Sequence, residues 1–296
     1  MPLNSPPTEK NAPARPGTLY VVATPIGNRD DITLRALKTL GSVDLVAAED
    51  TRHTAKLMTM HGISVRLISF QEHNEAGRTP ELLDKLTGGT SIALVSDAGT
   101  PSVSDPGFRL VTAAVEKGIP VIPIPGVSAA VTAISVSGLP TDSFAFIGFP
   151  AKKKGARRRQ LTDLAQSTRT LVFYESPRRI VALVREIREI FGDRRAVLGR
   201  EMTKLHEEFI RSRLSAIEAA LAARETVRGE CTLLVAGAEE TDIDPDPPEL
   251  ADDIRQALAK GDTRPSELAR TLAARHGLGR KIVYQKILEI RNSAIS

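Results

Sequence analysis

Five short apolar runs recur in the first half of the chain, each followed by a turn and then by a stretch of helical periodicity. They are TLYVVA (18–23), DLVAAE (44–49), VRLIS (65–69), SIALVS (91–96) and VIPI (121–124). Hydrophobicity that is continuous along a strand, with no alternation, means that both faces are buried, and intervening helices supply the cover. The pattern predicts βα units and a parallel sheet between helix layers over residues 18–140. Asp30 or Asp31 is the expected cap of a first helix running through Leu40. Further helices are expected after residue 49, near Ala76 to Leu86, after Pro106 and from about Ser128. Beyond the break at Gly138-Leu139-Pro140 the strands come closer together: SFAFIG (143–148), TLVFYE (170–175), RAVLGR (195–200), EEFIRS (207–212) and ECTLLVAG (230–237). A second α/β domain with a mixed sheet is therefore expected over residues 141–238.

The two ends of the chain read differently. Residues 1–17 are rich in Pro and polar residues and lack the apolar core of a secretory signal, so a disordered tail is expected. EETDIDPDPPEL (239–250) opens an acidic linker at 239–249. A helical module follows over 250–296, with helices at about 250–260, 265–276 and 280–291. The last pair, around Gly277 and Gly279, has the spacing either of a helix-turn-helix or of a plain helical cap. The longest stretch without Asp, Glu, Lys or Arg, Gly118 to Thr141, is long enough to span a bilayer. Its Pro120, Pro123, Pro125 and Pro140 and its many Ser and Thr favour a buried strand followed by a small-residue helix.

Composition narrows the partners. The single cysteine, Cys231, permits no internal disulfide and no cysteine metal cage, which fits a cytoplasmic protein with no metal centre. The net charge is only +4, yet residues 151–230 carry 19 Lys and Arg against 11 Asp and Glu. The densest run is KKKGARRR (152–159), and two separated basic blocks point to a polyanionic partner. Lys152, Lys153, Lys154, Arg157, Arg158 and Arg159, with Arg178 and Arg179, form a candidate surface that tracks a phosphate backbone, the alternative being a solvated helix face. Aromatics are only 4% and Trp is absent, so RNA held by phosphates and shape is a better expectation than extensive base stacking.

Several familiar sites are missing. There is no G-x-x-x-x-G-K-[ST], no strand followed by G-x-G-x-x-G and no G-x-S-x-G. His206-Glu207 opens like a zincin helix, but Ile210 stands where the second His must be. What remains is three Gly/Pro-rich loops directly after strands: ATPIGN (23–28), SDAGTPSVSDPG (96–107) and PGVSAA (125–130). In an open parallel sheet, ligands sit outside the carboxyl ends of strands, where Gly permits close backbone approach. The second loop is longer than a connection requires.

LYVVATPIGN, AAEDTRHT (47–54), LVSDAGTPSVSDPG (94–107), PGVSA (125–129) and FYESPRR (173–179) together resemble the ribosomal RNA small subunit methyltransferase I family, a branch of the tetrapyrrole methylase superfamily. The resemblance covers roughly residues 17–237 and implies two α/β domains of tetrapyrrole-methylase type around a cofactor cleft, in a homodimer. It also implies transfer of a methyl group from S-adenosylmethionine to a cytidine 2′-hydroxyl of 16S rRNA. Carried over by position, the cofactor pocket would use Pro25, Ile26, Gly27, Asp97, Gly99, Thr100, Pro101, Val103, Ser128, Ala129, Tyr174, Met202 and Thr232. Where porphyrin-methylating members read G-D-P and Y-M-G, this chain reads Gly99-Thr100-Pro101 and Tyr174-Glu175-Ser176.

A ribose hydroxyl is a weak acid, so its alkylation benefits from a base or a positive field beside the oxygen. Asp50 and His53, at a helix start after the second strand, and Glu175, at the end of TLVFYE, are the candidates, the alternatives being a helix N-cap for Asp50 and a surface position for His53. Three residues apart on a helix, Asp50 would orient the His53 imidazole. Two alternatives stay open: a porphyrinoid methyltransferase on the same fold, and a non-catalytic RNA-binding assembly factor.

Overall fold

The computed structural model describes residues 17–239, 248–259, 265–276, 278 and 280–293. Each apolar run of the first half forms a strand: β1 (Leu19–Val22), β2 (Leu45–Ala48), β3 (Arg66–Ser69), β4 (Ile92–Val95) and β5 (Val121–Ile124). All pair in parallel, in the order β3-β2-β4-β1-β5. Between them run α1 (Leu34–Leu40), α2 (Thr51–Met60), α3 (Glu75–Thr87) and α4 (Phe108–Glu116), and α5 (Ala129–Ser135) follows β5. The two-residue period of a strand sorts the core into two layers. Leu19, Leu45, Ala47, Ile92 and Leu94 pack with side chains of α3 and α4, whereas Tyr20, Val22, Val46, Ala48, Ala93 and Val95 pack with those of α1 and α2.

One expected cap is displaced. The cap of α1 is Thr33, whose hydroxyl accepts the Ala36 N–H at 3.1 Å. Asp30 and Asp31 belong instead to a short 3-10 turn, Arg29–Asp31, capped by the Asn28 side chain. A side-chain cap must stand immediately before the first free N–H groups of the helix, and with Leu34 as the first helical residue that place falls to Thr33.

The second sheet contains β6 (Phe144–Gly148), β7 (Thr170–Glu175), β8 (Arg195–Arg200), β9 (Glu208–Arg213) and β10 (Cys231–Val235) in the order β6-β7-β10-β8-β9. It is mixed: β6 runs parallel to β7, whereas β10 is antiparallel to β7 and β8, and β8 to β9. Helices α6 (Lys154–Leu164), α7 (Ile180–Phe191) and α8 (Leu214–Ala222) cover one face over Leu171, Phe173, Leu198, Leu233 and Val235. On the other face Val172, Val197 and Leu234 meet Ala130, Ala133 and Ile134 of α5 together with Ile26 and Met202. The small side chains of α5 let it lie close against this sheet. The charge-free stretch Gly118 to Thr141 is thus β5 and α5, a strand and a small-residue helix. Among the described residues no helix is long and apolar enough to cross a membrane.

Both sheets belong to one compact unit ending at Ala238; Glu239 onward forms a second. That second unit contains α9 (Pro248–Ala259), α10 (Pro265–His276) and α11 (Arg280–Ser293) around its own core of Leu250, Ile254, Leu268, Leu272, Val283 and Ile287. There Asp253 accepts from both Arg275 (2.9 Å) and His276 (2.8 Å). The expected N-terminal tail up to residue 16, positions 240–247 of the acidic linker and the Gly277 and Gly279 turn lie outside the described residues.

The seam between α5 and the second sheet gives a direct test. Ala133 is fully buried there, so Ala133→Leu has nowhere to place three extra carbons and should lower stability by about 1–3 kcal/mol in chemical denaturation. Val131, on the same helix but 56% exposed, should tolerate Leu within about 0.5 kcal/mol.

Candidate active site

The connection leaving β1 leads toward β2, whereas that leaving β4 leads across β1 to β5 on the other side. The two connections run to helices on opposite faces of the sheet, which leaves a crevice outside the carboxyl ends of these two neighbouring strands. The loops that emerge there are tied by a reciprocal backbone pair, Thr24 N–H to the Gly99 carbonyl and Gly99 N–H to the Thr24 carbonyl, both 2.9 Å. Gly99 has φ +80°, and a Cβ there would lie 3.6 Å from Ile26. The glycine is thus set by its backbone conformation, and the added carbon would point toward Ile26 and the Val127 carbonyl.

The rest of the long loop is held in tension. Ser102 and Ser104 sit at φ 69° and 65°, left-handed values costly for residues with a Cβ, and Gly107 at φ 136°. Its far end is fixed by Glu75, a buried carboxylate of α3 that accepts the N–H groups of Gly107 (3.0 Å) and Arg109 (3.1 Å). Glu75 supplies the start of α4 with the cap that the helix's own N-cap residue, Gly107, does not provide. A second strained loop follows β8, with Glu201 at φ 50° and Thr203 at φ 65°. Thr203 Oγ1 accepts the Asn28 N–H at 3.0 Å, and a Cβ on Gly27 would fall 2.5 Å from Lys204 Cγ. Gly27 is therefore required for this close approach. Lys204 Nζ is anchored 3.0 Å from both Glu201 and Glu230.

Two cavities flank the Thr24–Gly99 pair and share Ile26, Ala98 and Glu230 as their dividing wall. The first, about 420 Å³, is lined by Arg29, His53, Lys56 and Lys204, with Asp97 as its other carboxylate beside Glu230. The second, about 340 Å³, has walls of Val103, Ala129, Phe149, Tyr174 and Pro177, and among the described residues its charged lining is acidic: Asp105, Glu175 and Glu230. Tyr174 stands in a small aromatic cluster with Phe146 and Phe149, and its hydroxyl accepts the Ala130 N–H at 3.0 Å. Burial pushes its own acidity down.

Most residues expected at a cofactor pocket come together here. Gly99, Thr100, Val103, Ser128, Ala129, Tyr174 and Thr232 line the second cavity, Pro25, Gly27 and Asp97 the first, and Ile26 both. Pro101 and Met202 line neither; both are buried, Met202 in the apolar cluster with Ile26 and Ala130.

The expected Asp50–His53 pair is corrected. Asp50 is the N-cap of α2, and its carboxylate serves the start of the helix and not the His53 imidazole. Its carboxylate turns back to the Arg52 N–H (2.8 Å) and to the Arg52 guanidinium (2.8 and 3.2 Å), which holds its pKa down at about 2. His53 faces the first cavity without it. Glu175 is buried on the second cavity, accepting the Ser176 N–H at 2.7 Å and the Arg179 Nε at 2.8 Å.

The basic run is also less uniform than its sequence. Arg157 turns inward to Glu186 at 2.7 Å, with both side chains largely buried, Arg158 lies 3.9 Å from Glu189, and Arg179 serves Glu175. Lys152, Lys153, Lys154, Arg159 and Arg178 remain exposed. The reason is helical periodicity: α6 must present one side to α7, and Arg157 falls on that side.

Arg29, Lys56, Lys204, Phe149 and Asp105 are site residues that the sequence reading left out. Asp105 lay within a motif already singled out, and Arg29 one residue past another. Lys204 and Phe149 carried no local signal, because only the packing of the second sheet against α5 brings them to the crevice. Burial and the nearby Glu49 charge raise the Asp105 pKa to about 7, and burial likewise raises that of Glu49.

Gly99→Val should lower stability by roughly 1–2 kcal/mol in equilibrium unfolding, the cost of a β-branched residue in left-handed backbone. An unchanged midpoint would show that the bridge to Thr24 does not depend on that conformation.

Comparison with known proteins agrees with this geometry. Residues 18–218 match the family model described as Tetrapyrrole (Corrin/Porphyrin) Methylases. The "Ribosomal RNA small subunit methyltransferase I" of a Synechocystis species is 48% identical over 93% of this chain and 98% of its own length. The protein of that name from Micromonospora olivasterospora is 46% identical over 92% of this chain and 86% of its own. Among solved structures, the methyltransferase CobJ superposes with a TM-score of 0.59 at 19% identity, covering 75% of this chain and 95% of that one. A uroporphyrin-III C-methyl transferase from Thermus thermophilus, complexed with S-adenyl homocysteine, does so at 0.54 and 21%, covering 75% and 97%. With a family match over most of its length and relatives of this identity, the chain belongs to the tetrapyrrole methylase family, in the branch of the small-subunit ribosomal RNA methyltransferase I proteins.

Proposed function

We propose that this protein transfers a methyl group from S-adenosylmethionine to a ribose 2′-hydroxyl of a cytidine in 16S rRNA, in the cytoplasm. The observation that carries this reading is the opposite character of two adjoining cavities. The second joins apolar and aromatic walls to carboxylates with, among the described residues, no basic lining residue, a lining suited to a ligand with an adenine ring and two cationic centres. The first gathers Arg29, His53, Lys56 and Lys204, a donor set suited to a phosphodiester backbone. Basic side chains would also suit the carboxylates of a porphyrinoid, and what favours RNA is the likeness to relatives named for ribosomal RNA at 46–48% identity; a purely structural assembly factor has no use for the second cavity.

The residues divide the work as follows. Gly99, Thr100, Val103, Ser128, Ala129, Tyr174 and Thr232 would hold the cofactor, which supplies a methyl group already activated on a sulfonium. Alignment of that carbon with the incoming oxygen is then a matter of position, and the shared wall of Ile26 and Ala98 is where the two ligands would meet. Arg29 and Lys56 would hold phosphates of the strand that carries the target ribose, while Lys204, tied to Glu201 and Glu230, would shape the cavity floor. Lys152, Lys153, Lys154 and Arg159 would extend contact to more distant phosphates. The reading treats residues 18–140 and 141–238 as two domains of one catalytic unit. It also treats the protein as a homodimer, for which the exposed Phe108 and Val115 of α4 are apolar surface in need of cover.

The reading is tested by incubating the purified protein with labelled cofactor and 16S rRNA, free or in the small subunit, and mapping ribose methylation. A single methylated cytidine ribose is expected, and methyl transfer to a porphyrinoid alone would overturn it. Arg29→Ala with Lys56→Ala should raise the RNA Kd about tenfold or more and reduce the slope of log Kd against log salt by about 1–2. Cofactor affinity, read by calorimetry, should stay within about twofold. Replacing Lys152, Lys153, Lys154 and Arg159 by Glu should weaken RNA binding without unfolding, whereas Arg157→Glu should destabilise the protein by stranding Glu186 against a like charge.

A further inference from the structure

A third cavity, about 630 Å³, lies between the short turn Arg29–Asp31, the loop after β5 and one side of α5. Two segments of chain join it to the first cavity. Arg29 opens the turn and lines the first cavity, whereas Asp31 closes the turn and lines the third; in the β8–β9 loop Lys204 lines the first and its neighbour Thr203 the third. The Asn28 N–H donates to Thr203 Oγ1 at 3.0 Å and ties the two segments together, so one ridge of chain separates the cavities. Ser128 lines both this cavity and the second.

The lining differs from that of either neighbour. Thr33, Thr132, Ser135 and Thr203 bring hydroxyls, and Val127 and Val131 bring apolar surface. Among the described residues the charged lining is Asp31 alone, so a phosphate that the first cavity attracts is repelled here. The Asp31 side chain has no evident structural duty. The turn is capped by the Asn28 side chain and α1 by Thr33, and Asp31 Oδ2 is covered with no hydrogen-bond partner among the described residues. A covered acceptor without a donor is costly, and a structure that retains one calls for a reason. Because that oxygen gives up no bond by moving and the last torsion of an Asp side chain is soft, the carboxylate can turn toward a donor in the cavity.

An acceptor set among hydroxyls, on a cavity without a cation, is fitted to a neutral N–H donor. On an unstacked pyrimidine nucleotide the exocyclic amine of cytosine is such a donor, whereas uracil carries a carbonyl oxygen at the same position, which a carboxylate repels. We propose that Asp31 reads the base of the target nucleotide, accepting the N4 amine of cytosine in the third cavity while the ribose and its phosphates occupy the first. The inference rests on the function proposed above and names a specificity-determining residue for it.

The test compares single-turnover methylation of 16S rRNA that carries either cytidine or uridine at the mapped position, in whichever form, free or assembled, the wild type methylates. The wild type should favour cytidine by about tenfold to hundredfold in kcat/KM. Asp31→Ala should bring the cytidine rate down to that of uridine. Asp31→Asn, whose amide can turn its NH₂ toward the uracil oxygen, should narrow the preference by speeding uridine. Both variants should keep the cofactor affinity, the oligomeric state and a melting temperature no lower than that of the wild type. Val131→Phe fills the cavity from an exposed position and should slow both RNAs without lowering the melting temperature. A wild type indifferent to the base, a preference that survives in both Asp31 variants, or a Val131→Phe protein that keeps pace overturns the assignment. A melting temperature or oligomeric state that changes in both Asp31 variants gives the residue a structural role and overturns it too. A wild type that methylates no RNA overturns the functional reading instead, and with it the role given to Asp31.

Discussion

The reciprocal backbone pair between Thr24 and Gly99 is the constraint on which the site depends. The chains leaving β1 and β4 turn to helices on opposite faces of the sheet. Here the loops after β1 and β4 are joined for one antiparallel bridge before they part. The bridge requires left-handed backbone at Gly99, and it turns Ile26 and Ala98 into a partition with a cavity on each side. Loosening it would merge the cavities and remove the alignment that an in-line transfer needs.

The second constraint is charge. The larger cavity collects basic side chains from the β1 loop, α2 and the β8–β9 loop, while the smaller collects acids from the β4 loop, β7 and the residue before β10. Neither distribution follows from the net charge of +4. It follows from which strand ends the fold brings to the crevice. Within it, several carboxylates are paired with a guanidinium, an ammonium or backbone N–H groups, whereas burial is the largest influence on both Asp105 and Glu49.

Glu75, Glu175 and Arg157 show another use of charge. Each is a buried or half-buried ionic group tied to a partner on a neighbouring turn or helix: Glu75 to the start of α4, Glu175 to Arg179, Arg157 to Glu186. Breaking one partner of such a pair strands the other, which makes these contacts costly to disturb even where their net contribution to stability is small. They fix loop ends and helix faces, and so position the residues that do meet a ligand.

The strands were legible in the sequence because a strand buried on both faces must be apolar at every position, a pattern no loop or surface helix shares. The three Gly/Pro-rich loops were legible for the same kind of reason, since backbone that leaves the ordinary conformations favours glycine, although the left-handed Ser102 and Ser104 carried no such signal. What the sequence could not show was direction. Asp50 and His53 are three residues apart, but the first caps the helix that the second belongs to, and its carboxylate turns to Arg52. Arg157 stands among five other basic residues, and only the packing of α6 on α7 turns it inward. Lys204 and Glu230 reach the crevice from more than 170 residues beyond β1, and Asp105 owes its raised pKa first to burial and then to the charge of Glu49, which follows β2. Local sequence determined which segments are strands, helices and tight loops, because those are decided by short-range sterics and burial pattern. Tertiary structure alone decided which charges meet, because electrostatics acts through space and the distances are set by how the sheets pack on α5.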